Sequence, residues 1–344
     1  MIERFKENIK KLNLFSEKEK LLLAVSGGVD SVVLCELCRQ AGYGFTIAHC
    51  NFQLRGEESE RDERFVKELG KKYGVEVLVK KFDTEKYAAE NKVSIQEAAR
   101  DLRYAWFKEC IESGKIAEKV LSGHHADDNI ETLLMNFFRG TGIKGLTGIP
   151  LKTGYVRRPL LGMSREELVA FAREQGLTWV EDSSNLSSDY TRNYFRNELI
   201  PGLSKVFPEV KKNLTGNIYR FIDIGKLFSV VVGEYKKKLV RQKGNEYYIP
   251  IRQLLALNNR TIIYLIIRDF GFSEKQIGEL IRLGESQSGK YIVSPNQEYR
   301  IIRHGHWFII SPAKTGESEN IIIEEDSRSV LFPGDELQIE ILNS

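Results

Sequence analysis

From residue 21 to about residue 180, short apolar runs alternate with stretches in which apolar residues return at helical spacing. That alternation is what a parallel sheet produces, because each strand needs a crossover helix to bring the chain back to the same end. The runs predict strands over residues 21–25, 45–48, 75–79 and 120–122, with a fifth near 178–180. Between them the clearest helix covers residues 94–111. Ser94 and Glu97 form a capping box at its start, and Ala98, Leu102, Ala105 and Trp106 make its apolar stripe.

Beyond the proline-flanked stretch 200–208 the alternation stops and helical patterns take over, including residues 254–270 with the apolar run 262–267. A β-hairpin is expected after them, with arms 290–293 and 299–310 turning through Ser294, Pro295 and Asn296. Residues 321–323 and the alternating Leu337, Ile339 and Ile341 read as further strands. The expected fold is therefore α/β, a doubly wound and mostly parallel sheet followed by a smaller helical domain with a β-hairpin. Expected boundaries are 1–208, 209–312 and 313–344, the last being the start of an incomplete β-rich domain.

Composition narrows the class. With 344 residues the chain has room for about two domains of roughly 100–200 residues each. Its 42% hydrophobic and 29% charged residues, with 8 prolines, exclude a disordered or collagen-like polymer. No apolar run approaches the ~20 residues of a membrane helix, and the charged start MIERFKENIK lacks a signal-peptide core, so a cytoplasmic protein is expected. Cys35, Cys38, Cys50 and Cys110 are too irregularly spaced for a disulfide framework and are expected reduced. Formal charge is only +3, but residues 205–243 carry ten Lys or Arg against three Asp or Glu, whereas 313–344 carry two against eight. A basic middle suits a polyanion.

The first predicted strand runs into Ser26-Gly27-Gly28-Val29-Asp30-Ser31 and then a helix. Two glycines let backbone N–H groups approach phosphate oxygens, the serines add hydroxyl donors, and the helix N-terminus favours an anion. Asp30 would repel phosphate unless a cation lay between, so Mg²⁺ bridging Asp30 and a pyrophosphate is expected. No G-x-x-x-x-G-K-[ST] is present, and Gly140, Gly142 and Gly145 follow a helical run rather than a strand, which removes the Walker and dinucleotide readings.

Two more segments follow predicted strands: His49 to Arg55, and His124-His125-Ala126-Asp127-Asp128. In a doubly wound sheet such segments face one cleft. Asp128, Glu131, Thr132 and Met135 share a helical face that could hold an ammonium; the same HHADD could instead be a metal cluster or a plain helix start. Arg100 and Arg103 could stabilise charge on an α-phosphate, or form a solvated face paired with Glu97 or Asp101. Lys236, Lys237 and Lys238 read equally as phosphate contacts or a solvated face. Cys35-x-x-Cys38, set among Val33, Leu34 and Leu37, reads as buried structure rather than as cluster ligands.

SGGVDS resembles the pyrophosphate loop of the PP-loop ATP pyrophosphatase superfamily. EAARDLRY, HHADDNIET, RGTG, Glu181-Asp182-Ser183-Ser184-Asn185 and Arg192-Asn193-x-x-Arg196 narrow the resemblance to the tRNA(Ile)-lysidine synthetase family, across roughly residues 18–201. The resemblance implies an adenine nucleotide alpha hydrolase-like catalytic domain and a tRNA-binding domain. It implies ATP with Mg²⁺, L-lysine and a CAU-anticodon tRNA(Ile) as cofactor and partners, no membrane, and a homodimer. ATP would activate the wobble cytidine, and lysine would then displace AMP. Ser26, Gly27, Gly28, Val29, Asp30 and Ser31 would bind ATP, with His49 and Asn51 on the nucleotide side. Arg100, Arg103, Arg192 and Arg196 would stabilise charge, Asp128, Glu131 and Thr132 would take the lysine, and Lys236, Lys237, Lys238 and Arg241 would hold the tRNA. Rival readings are another PP-loop tRNA modifier, such as a 2-thiocytidine synthetase, and a nucleotide- or RNA-binding module without catalysis.

Overall fold

The first strand shows why the sheet is buried on both sides. Leu21 and Leu23 pack with Val33, Leu37 and Leu168 on one face, while Leu22 packs with Phe107, Val120 and Val156 on the other. Both sets are apolar, as expected for parallel strands covered by helices on each face. The computed structural model describes residues 1–181 and 191–313, together with the backbone of Ser329–Phe332 and Asp335–Gln338.

The first compact unit is Met1–Gly225. Helix α1 (Ile2–Lys11) precedes β1 (Leu21–Ala24), α2 (Val29–Gln40), β2 (Phe45–Asn51), α3 (Glu57–Tyr73) and β3 (Val77–Lys81). Then come α4 (Thr84–Asn91), α5 (Ile95–Glu112), β4 (Lys119–Ser122), α6 (Ala126–Arg139) and α7 (Ile143–Leu146). The short strands β5 (Lys152–Thr153) and β6 (Val156–Arg157) and the helix α8 (Arg165–Glu174) follow. The sheet order is β3-β2-β1-β4-β6-β5, parallel except for the β5–β6 pair. The chain winds outward from β1 to β3 and returns to β4 on the other side of β1, which opens a crevice at the carboxyl ends of β1 and β4.

The expected strand at 178–180 is corrected: that segment lies outside the sheet, attached by one hydrogen bond from Val180 N–H to the Gly27 carbonyl (3.0 Å). The sheet is extended instead by β6 and β5, two residues each, too short to leave a period in the sequence. The 94–111 helix forms as α5, with Ser94 and Glu97 making the reciprocal cap.

From residue 191, α9 (Thr191–Tyr194) runs through a π-helical turn, Phe195–Leu199, into α10 (Ile200–Val206). Pro201 has no N–H to give the preceding turn, and the Ile200 N–H reaches back five residues to the Phe195 carbonyl. Helix α11 (Val210–Leu239) follows, and the boundary with the second unit, Lys226–Ser344, falls inside it.

In the second unit, β7 (Arg241–Lys243), β8 (Glu246–Pro250), β9 (Tyr291–Val293), β10 (Tyr299–His304) and β11 (Trp307–Pro312) form an antiparallel sheet in the order β7-β8-β11-β10-β9. Its core gathers Ile249, Leu254, Ile263, Ile267, Leu280, Ile301 and Phe308. The continuous helix expected over 254–270 is corrected to α12 (Ile251–Leu255) and α13 (Arg260–Ile267): Asn258 turns left-handed at φ 46°, and Asn259 restarts the helix by capping the Ile262 N–H. Helix α14 (Ile277–Glu285) leads into the sheet. The predicted turn through Ser294 is present, its hydroxyl accepting from Tyr299 N–H at 3.0 Å, but the second arm is itself a hairpin, β10 with β11. Strands β12 (Ser329–Phe332) and β13 (Asp335–Gln338) pair antiparallel; residues 321–323, Ile339 and Ile341 lie outside the described residues. Among the described residues no helix is long and apolar enough to cross a membrane.

Candidate active site

At the end of β1 the chain turns through Gly27, whose φ of 100° falls where L side chains are strained. Gly28 then caps α2 in an extended conformation. Ser31 Oγ donates to the Gly28 carbonyl (2.8 Å) and accepts from Gly27 N–H (3.3 Å), while Ser26 Oγ accepts from Gly28 N–H (3.4 Å). The loop is thus tied to the first turn of α2, and that helix presents its positive end to the crevice. Val29 is buried beneath the loop.

β4 approaches the same loop through Gly123. A Cβ there would lie 3.1 Å from the backbone C and O of Asp30 and 3.2 Å from Ser31 N, so any larger residue presses on the loop backbone. Between the two strand ends lies a cavity of about 260 Å³. Its floor uses register-matched small residues, since Ala24 pairs with Ala48 on one side and Ser122 on the other. Cys50, Phe52, Phe107 and Val156 add an apolar wall, and Ser26, Asp30, Arg103, His124, Asp128 and Arg192 supply the polar rim.

Asp30 places Oδ1 in a buried position with no hydrogen-bond partner among the described residues. Its Oδ2 sits 3.6 Å from His125 Nε2. Burial pushes the Asp30 carboxyl above its ordinary value, with His125 acting in the opposite direction. An unpartnered carboxylate oxygen beside an anion-binding loop fits a divalent cation shared with phosphate.

His124 and His125 separate into two roles. His125 is buried and caps α6, its Nδ1 accepting from Asp128 N–H (3.4 Å) while Asp128 Oδ2 accepts from His125 N–H (3.0 Å). His124 faces the cavity with Nδ1 2.9 Å from Ser122 Oγ, and burial pushes its pKa down to about 4. A neutral imidazole is therefore present at pH 7. The helix-start reading of HHADD is the one the hydrogen bonds express, and no group of three metal-ligating side chains occurs among the described residues.

The carboxylates expected to receive an ammonium already hold arginines. Arg196 donates from Nε to Glu131 Oε1 (2.7 Å) and from Nη2 to Glu131 Oε2 (3.0 Å) and Asp128 Oδ1 (3.1 Å). Arg192 donates to Thr132 Oγ1 (3.1 Å) and lies 3.6 Å from Glu131 Oε2. With its side chain 1% exposed, Glu131 is a buried anchor; Asp128 alone of the pair lines the cavity. Burial raises the Glu131 carboxyl and Arg196 pulls it back down.

Arg103 lies over the Phe52 ring at 5.2 Å and lines the cavity, whereas Arg100 is exposed and lies over Tyr104 at 5.0 Å. His49 and Asn51 are a correction. Strand alternation turns both away from the cavity, His49 Nδ1 onto the Val25 carbonyl (2.9 Å) and Asn51 onto Glu60 and Glu63. Their neighbours Ala48, Cys50 and Phe52 line it instead. The register that sets Ala24 beside Ala48 and Ser122 decides this orientation, and strand pairing rather than the sequence of β2 fixes it. Burial pushes the Cys50 thiol up to about 12. Cys35 and Cys38 are fully buried in the α2 core with thiols raised by burial, as the structural reading of C-x-x-C expects.

In the second unit, Lys236 pairs with Asp269 and Lys237 with Glu234 (2.9 Å), while Lys238 is exposed and Arg241 lies over Trp307 at 5.4 Å. Of residues 182–190, the expected Asp182, Ser183, Ser184 and Asn185 lie outside the described residues.

A glycine–serine loop at a parallel-sheet switch point, a helix end for phosphate and an orphaned aspartate define a PP-loop ATP-using enzyme. Comparison agrees, since residues 1–203 match the PP-loop domain family and residues 242–313 the TilS substrate binding domain. Curated tRNA(Ile)-lysidine synthases from Bacteroides thetaiotaomicron (38% identity over 91% of this chain and 72% of the relative) and Chlorobaculum tepidum (38%, over 84% and 90%) align along most of the length. The chain belongs to the tRNA(Ile)-lysidine synthase family. Among solved structures, the U34-tRNA thiolase NcsA from Methanococcus maripaludis, with its [4Fe-4S] cluster, shares the fold at TM-score 0.52 and 18% identity, covering 64% of this chain and 79% of that one.

Proposed function

We propose the following division of labour for this ATP-dependent, lysidine-forming enzyme. The pyrophosphate of ATP sits at the N-terminus of α2, where the N–H groups of Gly27 and Gly28 and the hydroxyls of Ser26 and Ser31 exchange their mutual hydrogen bonds for phosphate oxygens. The adenine side rests on Ala48, Cys50 and Phe52. Asp30 would hold Mg²⁺ against the phosphates, and the ion would supply charge neutralisation there.

The wobble cytidine O2 of a CAU-anticodon tRNA(Ile) attacks the α-phosphorus, a P–O bond forms as the bond to pyrophosphate breaks, and pyrophosphate leaves. Arg103 and Arg192, the two arginines on the cavity rim, stabilise charge gathering on the α-phosphate. Lysine's ε-amine then attacks C2 and AMP departs, so the codon read changes from AUG to AUA. Asp128, the carboxylate that reaches the cavity, is assigned to the lysine ammonium; Glu131, Thr132 and Arg196 position it. His124, neutral and cavity-facing, is the candidate proton acceptor. Arg100 and Val29 do not line the cavity and take no part in this scheme. We assign tRNA phosphate contact to Lys238 and Arg241, with Lys236 and Lys237 tied to acids. The three-part layout 1–208, 209–312 and 313–344, a cytoplasmic setting and a homodimer complete the proposal, the last read by light scattering.

The observation that carries this reading is the convergence of the SGGVDS loop, Asp30 and the Asp128–Arg196 network on one cavity. The test supplies Mg-ATP, radiolabelled lysine and the CAU-anticodon tRNA(Ile), and counts label in tRNA. Label that requires lysine and disappears in Asp30→Ala and Asp128→Ala supports it; pyrophosphate released without label refutes the lysine assignment, and neither product refutes the adenylation step.

A further inference from the structure

Three aromatic rings stand in solvent beside the cleft with no role in the chemistry above: Phe137 (62% exposed), Phe138 (65%) and Tyr194 (50%). They are not scattered. Phe137 meets Phe138 edge-on at 5.6 Å, Phe138 meets the buried Phe195 at 5.9 Å, and Phe195 meets Tyr194 at 6.5 Å. Tyr194 follows Arg192, which lines the cavity, two residues along α9. The rings therefore form a continuous strip from the cavity rim to the far end of α6.

Free positive charge lies at the α6 end of this strip: residues 133–144 contain Arg139 and Lys144 and no acid, whereas Arg192 and Arg196 are taken up by Thr132, Glu131 and Asp128. Arg139 and Lys144 are exposed and make no ion pair among the described residues. A protein-facing apolar patch needs no cation rim, whereas exposed rings interleaved with free cations suit an unpaired, stacked nucleic-acid strand. The reach fits as well: nine residues from Asp128 to Phe137 span roughly 14 Å of helix, about four stacked nucleotides at 3.4 Å each.

We propose that Phe137, Phe138 and Tyr194 form a stacking platform for the loop nucleotides flanking the cytidine that enters the cavity, with Arg139 and Lys144 on their phosphates. This rests on the tRNA reading above and adds a docking site outside the cavity. Phe195, by contrast, belongs to a core with Ile130, Leu133 and Leu134, and serves as the platform's base.

The test uses full-length protein and a CAU-anticodon tRNA(Ile) carrying 2-aminopurine beside the wobble cytidine. Binding to the wild type should quench the fluorophore by stacking. Phe137→Leu with Phe138→Leu keeps the apolar volume but removes the π faces; it should abolish the quench and raise the KM for tRNA about tenfold. The kcat at saturating tRNA and the KM for ATP should stay within twofold, and Phe137→Tyr with Phe138→Tyr should restore both quench and KM. An unchanged quench and tRNA KM in the leucine variant overturn the platform, as does a change from dimer to monomer with tRNA affinity unmoved. If the wild type transfers no lysine, the catalytic reading fails by itself, and the quench still decides the platform.

Discussion

Arg196→Met isolates the most heavily buried charge in the site. In the wild type Arg196 is 22% exposed and spends its Nε and one Nη on both oxygens of Glu131, which is 1% exposed, and on Asp128. Methionine fills most of the volume but leaves Glu131 with only the 3.6 Å contact to Arg192. Stranding one member of a buried pair costs about 3–5 kcal/mol, far more than the ~0–1 kcal/mol of an exposed pair. For a unit of this size that is a fall in Tm of roughly 6–20 °C. Urea unfolding of a Trp307→Phe background reads this unit directly, because the remaining tryptophans, Trp106 and Trp179, both lie in Met1–Gly225.

Glu131→Gln in the same background closes a double-mutant cycle. Since Glu131 is the stranded charge, the double variant should be more stable than the sum of the singles by about 2 kcal/mol. The pH dependence gives a second check. Burial holds the folded Glu131 carboxyl above its unfolded value, and loss of Arg196 raises it further. A raised carboxyl takes up its proton in the folded state first, so the Arg196→Met deficit should shrink as pH falls through that raised pKa toward the ordinary unfolded carboxyl value of about 4.3. A coupling below ~0.5 kcal/mol, or a deficit that does not move with pH, would show that Arg196 and Glu131 are not an energetic unit and refute this reasoning.

Gly123→Ala forces a methyl against the backbone of Asp30 and Ser31, so it should cost about 1–3 kcal/mol and raise the KM for ATP about tenfold; nucleotide titration and urea melts check both. His124 is held near 4 when folded against about 6.5 unfolded, so the unfolded chain protonates first and stability drains as pH falls from 6.5 to 4. At most about 3 kcal/mol is involved, and His124→Asn should flatten that slope in melts across this window. Cys35→Ala with Cys38→Ala should retain lysine transfer with no iron by elemental analysis, at a cost of about 1–2 kcal/mol for the two small voids; lost activity in a folded variant would revive the thiolation chemistry. Lys238→Ala with Arg241→Ala should weaken tRNA binding and make log K against log salt shallower by about one to two, measured by filter binding.

The sequence by itself determined the parts of the molecule that are local. A strand, two glycines and a helix start in one continuous stretch set the tight turn at the N-terminus of α2, and Ser94 with Glu97 caps α5 through neighbours three residues apart. The hairpin turn at Ser294 was likewise carried by its own residues. Tertiary structure decided what depends on distant partners. Whether a carboxylate meets an ammonium or an arginine cannot be read from α6 alone, because Arg196 arrives from sixty-five residues beyond Glu131. Which face of β2 lines the cavity was fixed by its register with β1, a one-residue parity that sends Cys50 inward and His49 outward. The strip of exposed rings exists only because α6 and the π-turned segment after Thr191 pack together, for solvent exposure is a property of the packed surface and not of the residue.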